Sequence, residues 1–201
     1  MNMQFVDKRN RNMVNNVYNN NTPQMPFSRN SLKAYLNNTV IDIPTNDDNA
    51  KKMRWGAPTW YFLHSLASKI RPEMFDSHKN EIFQVIKAIC NNLPCPICAN
   101  HATEYMNKIN FDSLRTPDDL KNMLFKFHND VNVRKNVPLF DYEQHNVKYI
   151  QANMKNISRL FITVFQEKSK NIHQIANNMH RDRVINKLKK WIFENIHLFN
   201  E

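Results

Sequence analysis

From Trp55 onward, apolar residues recur with the period of a helix, whereas the first fifty residues show no such order. Trp60, Leu63, His64 and Ala67 fall at helical spacing after Pro58, a residue suited to a first helical turn. Ile82, Val85, Ile86, Ile89 and Leu93 share one face of a second helix, which Pro94 ends. A third opens at Cys95-Pro96 and carries Cys98, Ala102, Tyr105 and Met106. A fourth starts after Thr116. Pro117 takes its first position, Asp118 and Asp119 complement the helix dipole, and Leu120, Leu124, Phe127 and Val131 form the buried stripe. Four helices on short links predict an all-α bundle. Beyond residue 143 two further helices are predicted. One carries Tyr149, Ile157, Leu160, Phe161, Val164 and Phe165, the other Val184, Ile185, Leu188, Trp191, Ile192 and Phe199, with a polar linker over residues 168–178.

Composition narrows the alternatives. A single glycine in 201 residues disfavours hairpin-rich and dinucleotide-binding sheet folds, which need glycine for positive φ and close backbone approach. No run of about 18 apolar residues appears, so no membrane span is expected. Residues 1–50 hold 13 asparagines and few clustered apolar residues, and read as a flexible arm. The start Met1-Asn2-Met3-Gln4 lacks the apolar core of a signal peptide. The arm is poor in acids up to Asp42, but it is rich in Asn rather than Ser, which argues against mitochondrial targeting. A formal charge of +10, from 28 Lys and Arg against 18 Asp and Glu, suits an anionic partner. The basic residues are spread rather than gathered into an aromatic-interleaved patch, which weighs against nucleic acid.

The chemistry lies in the three cysteines. Cys95-Pro96-Ile97-Cys98 sets two sulfurs one helical turn apart, within bridging reach, with the first at a helix N-terminus where a thiolate is stabilised. Such a pair exchanges with substrate thiols through a reversible disulfide. The competing reading is a zinc-stabilised Cys3His module of Cys90, Cys95, Cys98 and His101 that binds nucleic acid. All four lie within twelve residues, whereas structural zinc joins two separated ligand pairs, so no metal is expected. Cys90 sits among Ile86, Ile89 and Leu93 and reads as a small buried hydrophobe. The residues before the pair look helical, which argues against a thioredoxin fold, where a strand precedes C-x-x-C.

Three motifs in register carry a resemblance. Trp55-Gly56-x-x-x-Trp60-x-x-Leu63-His64, Cys95-x-x-Cys98-Ala99-x-His101 and His128-Asn129-x-Val131-Asn132, extended by Pro138-Leu139-Phe140-Asp141, closely resemble the Erv/ALR family of flavin-linked sulfhydryl oxidases over residues 52–142. The resemblance implies a four-helix bundle holding FAD, a short fifth helix and pairing as a homodimer, with an apolar strip exposed on the first two helices. It divides the chain into the arm at 1–50, an oxidase domain at 51–142 and a helical C-terminal extension at 143–201. It sets Trp60 and His64 against the flavin or its adenosine, and His128, Asn129, Val131 and Asn132 along the cofactor, with Gly56, His101 and Lys135 completing the set. Arg134, Lys135 and Lys126 are candidates to neutralise the pyrophosphate. Cys95 meets the incoming thiol and Cys98 delivers electrons to the isoalloxazine, with O2 as acceptor and hydrogen peroxide as product.

The chain also departs from that pattern. Ala57 and Val137 stand where the family often has basic residues, and Tyr142 stands where a structural disulfide commonly begins. No cysteine lies outside Cys90, Cys95 and Cys98 to act as a shuttle, so the expected substrate is a separate protein thiol, such as that of a thioredoxin-like partner. Minimal forms of this kind occur in large DNA viruses, and the Asn-rich composition fits one. The expected location is then host cytoplasm or virion, with the mitochondrial intermembrane space as the alternative.

Overall fold

The computed structural model describes residues 54–167 and 175–200. The arm read over residues 1–50 and most of the polar linker lie outside the described residues. Seven α-helices are described: α1 (Gly56–Lys69), α2 (Pro72–Asn91), α3 (Pro96–Lys108), α4 (Pro117–Arg134), α5 (Tyr142–Ile150), α6 (Met154–Phe165) and α7 (Ile175–Asn195). None is long and apolar enough to cross a membrane.

Local chemistry sets the helix ends. Prolines open α2, α3 and α4, where the missing N–H leaves no intrahelical bond unmade. Thr116 and Asp119 form a reciprocal capping box at the start of α4. At its far end Asn136 takes a left-handed conformation (φ 53°), Val137 N–H donates to the Asn132 carbonyl and Asn136 N–H to that of Val133. Those two bonds close the helix with asparagine where glycine is commonest. The stretch from Tyr149 to Phe165, predicted as one helix, is two. Asn153 caps the Asn156 N–H and starts α6 afresh, while Ala152 stays buried so that the apolar stripe continues across the break. Residues 175–178, assigned to the linker from sequence, are already helical.

Helix α1 is the centre of the fold, packing against α4, α5 and α6. Its Phe62, Leu63, Leu66 and Ala67 meet Ile86 and Ile89 of α2, Leu120 and Leu124 of α4, and Phe161 and Phe165 of α6 in one continuous core. Phe62 stacks on Phe161 at 4.5 Å and 11°. The apolar strip expected to lie exposed on the first two helices is therefore covered: every large exposed apolar side chain among the described residues lies elsewhere. Arg181 of α7, itself buried, donates to the carbonyls of Asn92 and Phe165 and so satisfies the C-terminal ends of α2 and α6 together. The chain end returns to the start of the bundle, where Arg71 N–H donates to Leu198 O and Asn200 N–H to Lys69 O.

Candidate active site

Cys95 is the N-cap of α3, and Pro96 holds the first helical position behind it. The Cys98 N–H points back at the Cys95 sulfur at 3.3 Å, and the two sulfurs lie 2.6 Å apart. The pair thus stands close to the bonding distance of about 2.05 Å, and a disulfide needs only further approach of two side chains on one rigid turn. Both cysteines are partly exposed.

Cys98 opens into a cavity of about 240 Å³ between the ends of α1, α2, α3 and α4. Trp55, Trp60, Leu63, Leu93, Phe127 and Val131 supply apolar walls, and Arg134 and Lys135 bring positive charge to the same space. Gly56, His101 and Cys90 also line it, whereas Cys95 is not among its lining residues. Gly56 belongs to the helical first turn of α1 with φ in the ordinary range, and a Cβ placed on it meets nothing within 4 Å. The missing side chain leaves room in the cavity rather than relieving a clash.

The sequence reading attached thiolate stabilisation to the first cysteine, at the helix N-terminus; the inner thiol, Cys98, sits against the cavity instead. Partial burial pushes the Cys98 thiol up to about 11, and the Cys95 sulfur beside it adds to the rise, while Lys135 and Arg134 act in the opposite sense. Cys90 is raised further, to about 12, by burial in the core alone. A metal would require Cys90 to ionise there, and among the described residues no group of three or more His, Cys, Asp or Glu is arranged to hold one. His101 is instead committed to Asp130, with 2.9 Å between Nε2 and the carboxylate.

Behind Trp60 lies an aromatic layer. His128 stacks on Trp60 at 4.1 Å and 10°, and Tyr149 of α5 stacks on His64. His64 Nε2 lies 2.9 Å from His128 Nδ1, and His145 Nε2 lies 2.9 Å from His64 Nδ1. Burial, with neighbouring histidines and Lys148 adding to it, holds His64 well below its ordinary value; burial and Lys148 bring His128 down to about 4. Both are neutral at pH 7. The unfolded chain therefore binds protons that the folded chain refuses below about pH 6.5. Stability is fully present above that value and falls with pH through the window down to about 4. For His128 alone the loss is about 1 kcal/mol between pH 7 and 5.5. Denaturant unfolding at the two values checks this; equal stability at both contradicts it.

Of the residues singled out in the sequence, Gly56, Trp60, Cys98, His101, Val131 and Lys135 come together on the cavity. His64 and His128 form the layer behind it. Asn129 braces the following segment, its amide oxygen accepting from Phe140 N–H at 2.7 Å and its nitrogen donating to Phe140 O, and Asn132 donates weakly to Asn129. Lys126 is exposed and lies off the cavity. Sequence reasoning missed His145, Phe140 and Tyr149 as members of the aromatic layer. The i, i+4 spacing of His145 and Tyr149 in α5 is the one local sign that they share a face.

The Erv1/Alr family model matches residues 57–151. An FAD-linked sulfhydryl oxidase of African swine fever virus is 31% identical over 105 residues, spanning 52% of this chain and 87% of the relative. A putative FAD-linked sulfhydryl oxidase of Invertebrate iridescent virus 3 is 31% identical over 85 residues, 42% of this chain and 57% of that one. The mitochondrial FAD-linked sulfhydryl oxidase of Saccharomyces cerevisiae is 28% identical over 86 residues, 43% and 45% of the two chains. No solved structure matches the chain. With the family model matching residues 57–151 and a viral relative 31% identical and covered over 87% of its length, the chain belongs to the Erv1/Alr family.

Proposed function

We propose that the protein is an FAD-dependent thiol oxidase that forms disulfides in separate protein substrates through Cys95 and Cys98. The observation that carries this reading is the division of the pair, Cys98 opening into the apolar cavity and Cys95 standing outside it. The residues present fit a flavin. Gly56 lines the cavity with open space at the position of its missing Cβ, Trp60 and Phe127 offer aromatic surface, and Arg134 and Lys135 suit an electron-rich ring or a phosphate. Trp60, His64, His128, Asn129, Val131 and Asn132 are assigned to cofactor binding on the same reading, with Asn129 acting by bracing Phe140.

The steps available to the chain are those of thiol–disulfide exchange. A substrate thiolate attacks the Cys95 sulfur of the closed pair, the Cys95–Cys98 bond breaks, and Cys98 leaves as a thiolate. Lys135 and Arg134 favour that charge in a setting whose burial otherwise opposes it. A second substrate thiol resolves the mixed disulfide at Cys95, taking its own electrons into the new substrate bond and returning Cys95 as a thiol. FAD, when bound, supplies a two-electron acceptor that passes the pair to O2, giving hydrogen peroxide. Cys98 presents the electron pair at the cavity wall, beside the apolar side chains of Trp60, Leu63 and Leu93.

The oxidase domain is read as residues 51–142 and the remainder as a helical extension; the family match carries through residue 151 and so takes in α5. The substrate is a protein thiol of the thioredoxin-like kind, and a homodimer would form through a surface other than the covered face of α1. Viral relatives favour host cytoplasm or virion, and the yeast relative's name favours mitochondria as the alternative.

Gly56→Leu tests the cavity assignment. Gly56 lines the cavity and a Cβ there meets no protein atom within 4 Å, so the variant is expected to fold with an unchanged melting temperature as apoprotein and to lose bound flavin at least tenfold. Retention of FAD at the native level contradicts the assignment.

A further inference from the structure

The cavity holds one group suited to carry a proton in and out near neutral pH. Of the described residues that line it, Cys90, Cys98, His101, Arg134 and Lys135 bear groups that titrate in water. Burial pushes Cys90 up to about 12, and Arg134 and Lys135 bring positive charge but no acceptor atom. Cys98 is the reacting thiol itself. Imidazole alone among these side chains both takes and returns a proton within the physiological range.

The geometry equips His101 for that part. It stands one turn beyond Cys98 on α3, and both side chains line the same cavity. Its Nε2 lies 2.9 Å from a carboxylate oxygen of Asp130 on α4. An ionised carboxylate only accepts, so Nε2 carries the hydrogen and Nδ1 is the nitrogen left to take a second proton. Arg134 and Lys135 oppose a further cation in this space, and the Asp130 charge offsets them. The Asp130 side chain is 47% exposed against 17% for His101, so the pair runs from the cavity wall to solvent. Tyr105, a turn further along α3, is the other titratable group near the carboxylate; burial and then Asp130 raise it, so it remains a phenol.

We infer that His101 is the proton acceptor of the inner thiol: Nδ1 takes the Cys98 proton as the pair gives up its electrons, and Asp130, a positioning residue, holds the ring and balances the charge it acquires. The step rests on the proposed flavin-dependent function. As the dithiol closes, the Cys95–Cys98 bond forms and both electrons pass to the bound flavin. The Cys95 proton leaves to solvent from a partly exposed side chain, and the Cys98 proton goes to His101. Two protons are taken back when O2 accepts the two electrons and becomes hydrogen peroxide. Burial favours the Cys98 thiol over the thiolate that must react, which is why its proton needs an acceptor within the cavity.

Rapid anaerobic mixing of the FAD-saturated protein with dithiothreitol, followed at the flavin band, reads the step. His101→Ala bleaches about a hundredfold more slowly than the native protein, as for a lost acid–base group. Added imidazole restores the rate in proportion to its concentration and leaves the native rate unchanged, a response that a merely structural role does not give. Asp130→Asn, which keeps the shape and an acceptor oxygen but not the charge, bleaches about tenfold more slowly, and it decides the matter should His101→Ala not fold. In the apoprotein, nitrogen-15 NMR shows the His101 hydrogen on Nε2. Native-like bleaching in either variant, a slow rate in His101→Ala that imidazole does not raise, or a bare Nε2 in the apoprotein overturns the inference. A native protein that binds no FAD overturns the functional reading and the proton step together, whereas a yellow native protein with fast bleaching in His101→Ala removes the proton step alone.

Discussion

Cys98→Ser lowers dithiol-dependent oxygen uptake by roughly a thousandfold or more, the scale seen when a reacting nucleophile is deleted, while FAD stays bound. The variant loses the sulfur that faces the cavity and keeps every wall of it. Cys95→Ser also stops turnover with protein dithiols, because the outward sulfur is where a substrate can form a mixed disulfide. Cys90→Ala retains turnover within a few-fold. Its thiol, raised to about 12 by burial, takes no part in exchange at cellular pH. An oxygen electrode with dithiothreitol and an absorbance spectrum of each variant give all three results. Full activity in Cys98→Ser removes the proposed electron path.

Truncation after Tyr142 destabilises the protein more than any single substitution. The family resemblance implies a structural crosslink at this place, where the chain has Tyr142, which packs edge-on against Phe125 at 5.1 Å and stacks with His145. The C-terminal helices supply the bracing. Helix α6 buries Ile157, Phe161 and Phe165 against α1, and α7 ties two helix ends through Arg181. Removing these elements exposes Phe62 and Leu66, both fully buried, and lowers the melting temperature sharply. Phe161→Ala is the graded version, costing about 3–5 kcal/mol and roughly 10 °C. Calorimetry of the three proteins checks the order native, Phe161→Ala, truncation; an unchanged melt after truncation shows the extension to be independent of the bundle.

The helices and their starts were legible because their causes are local. Prolines at the openings of α2, α3 and α4, and Thr116 with Asp119, mark ends that any chain context would respect. The closeness of Cys95 and Cys98 was legible for the same reason, since a single helical turn fixes the reach of their side chains. The division between α5 and α6 was not, because the buried Ala152 keeps the apolar spacing intact across a break set by the Asn153 side chain. The rise at Cys98 was hidden as well: helix-terminal stabilisation is read from the motif, whereas desolvation depends on walls contributed by α1, α2 and α4. His145 illustrates the same limit. Its partner His64 is 81 positions away, and no periodicity connects them.

Sequence also predicted an open face on the first two helices, and the extension explains why none remains. Phe62 and Phe161 stack within one chain, so the apolar demand of α1 is met internally.

Whether FAD is held where Cys98 can reduce it is decided by anaerobic titration of the purified protein with dithiothreitol, followed at the visible band of the oxidised flavin. The expected result is a yellow protein whose band bleaches with one dithiol per FAD and returns on exposure to air, and a Cys98→Ser variant that stays yellow under the same titration. A colourless native protein, or bleaching that proceeds equally in Cys98→Ser, would contradict it.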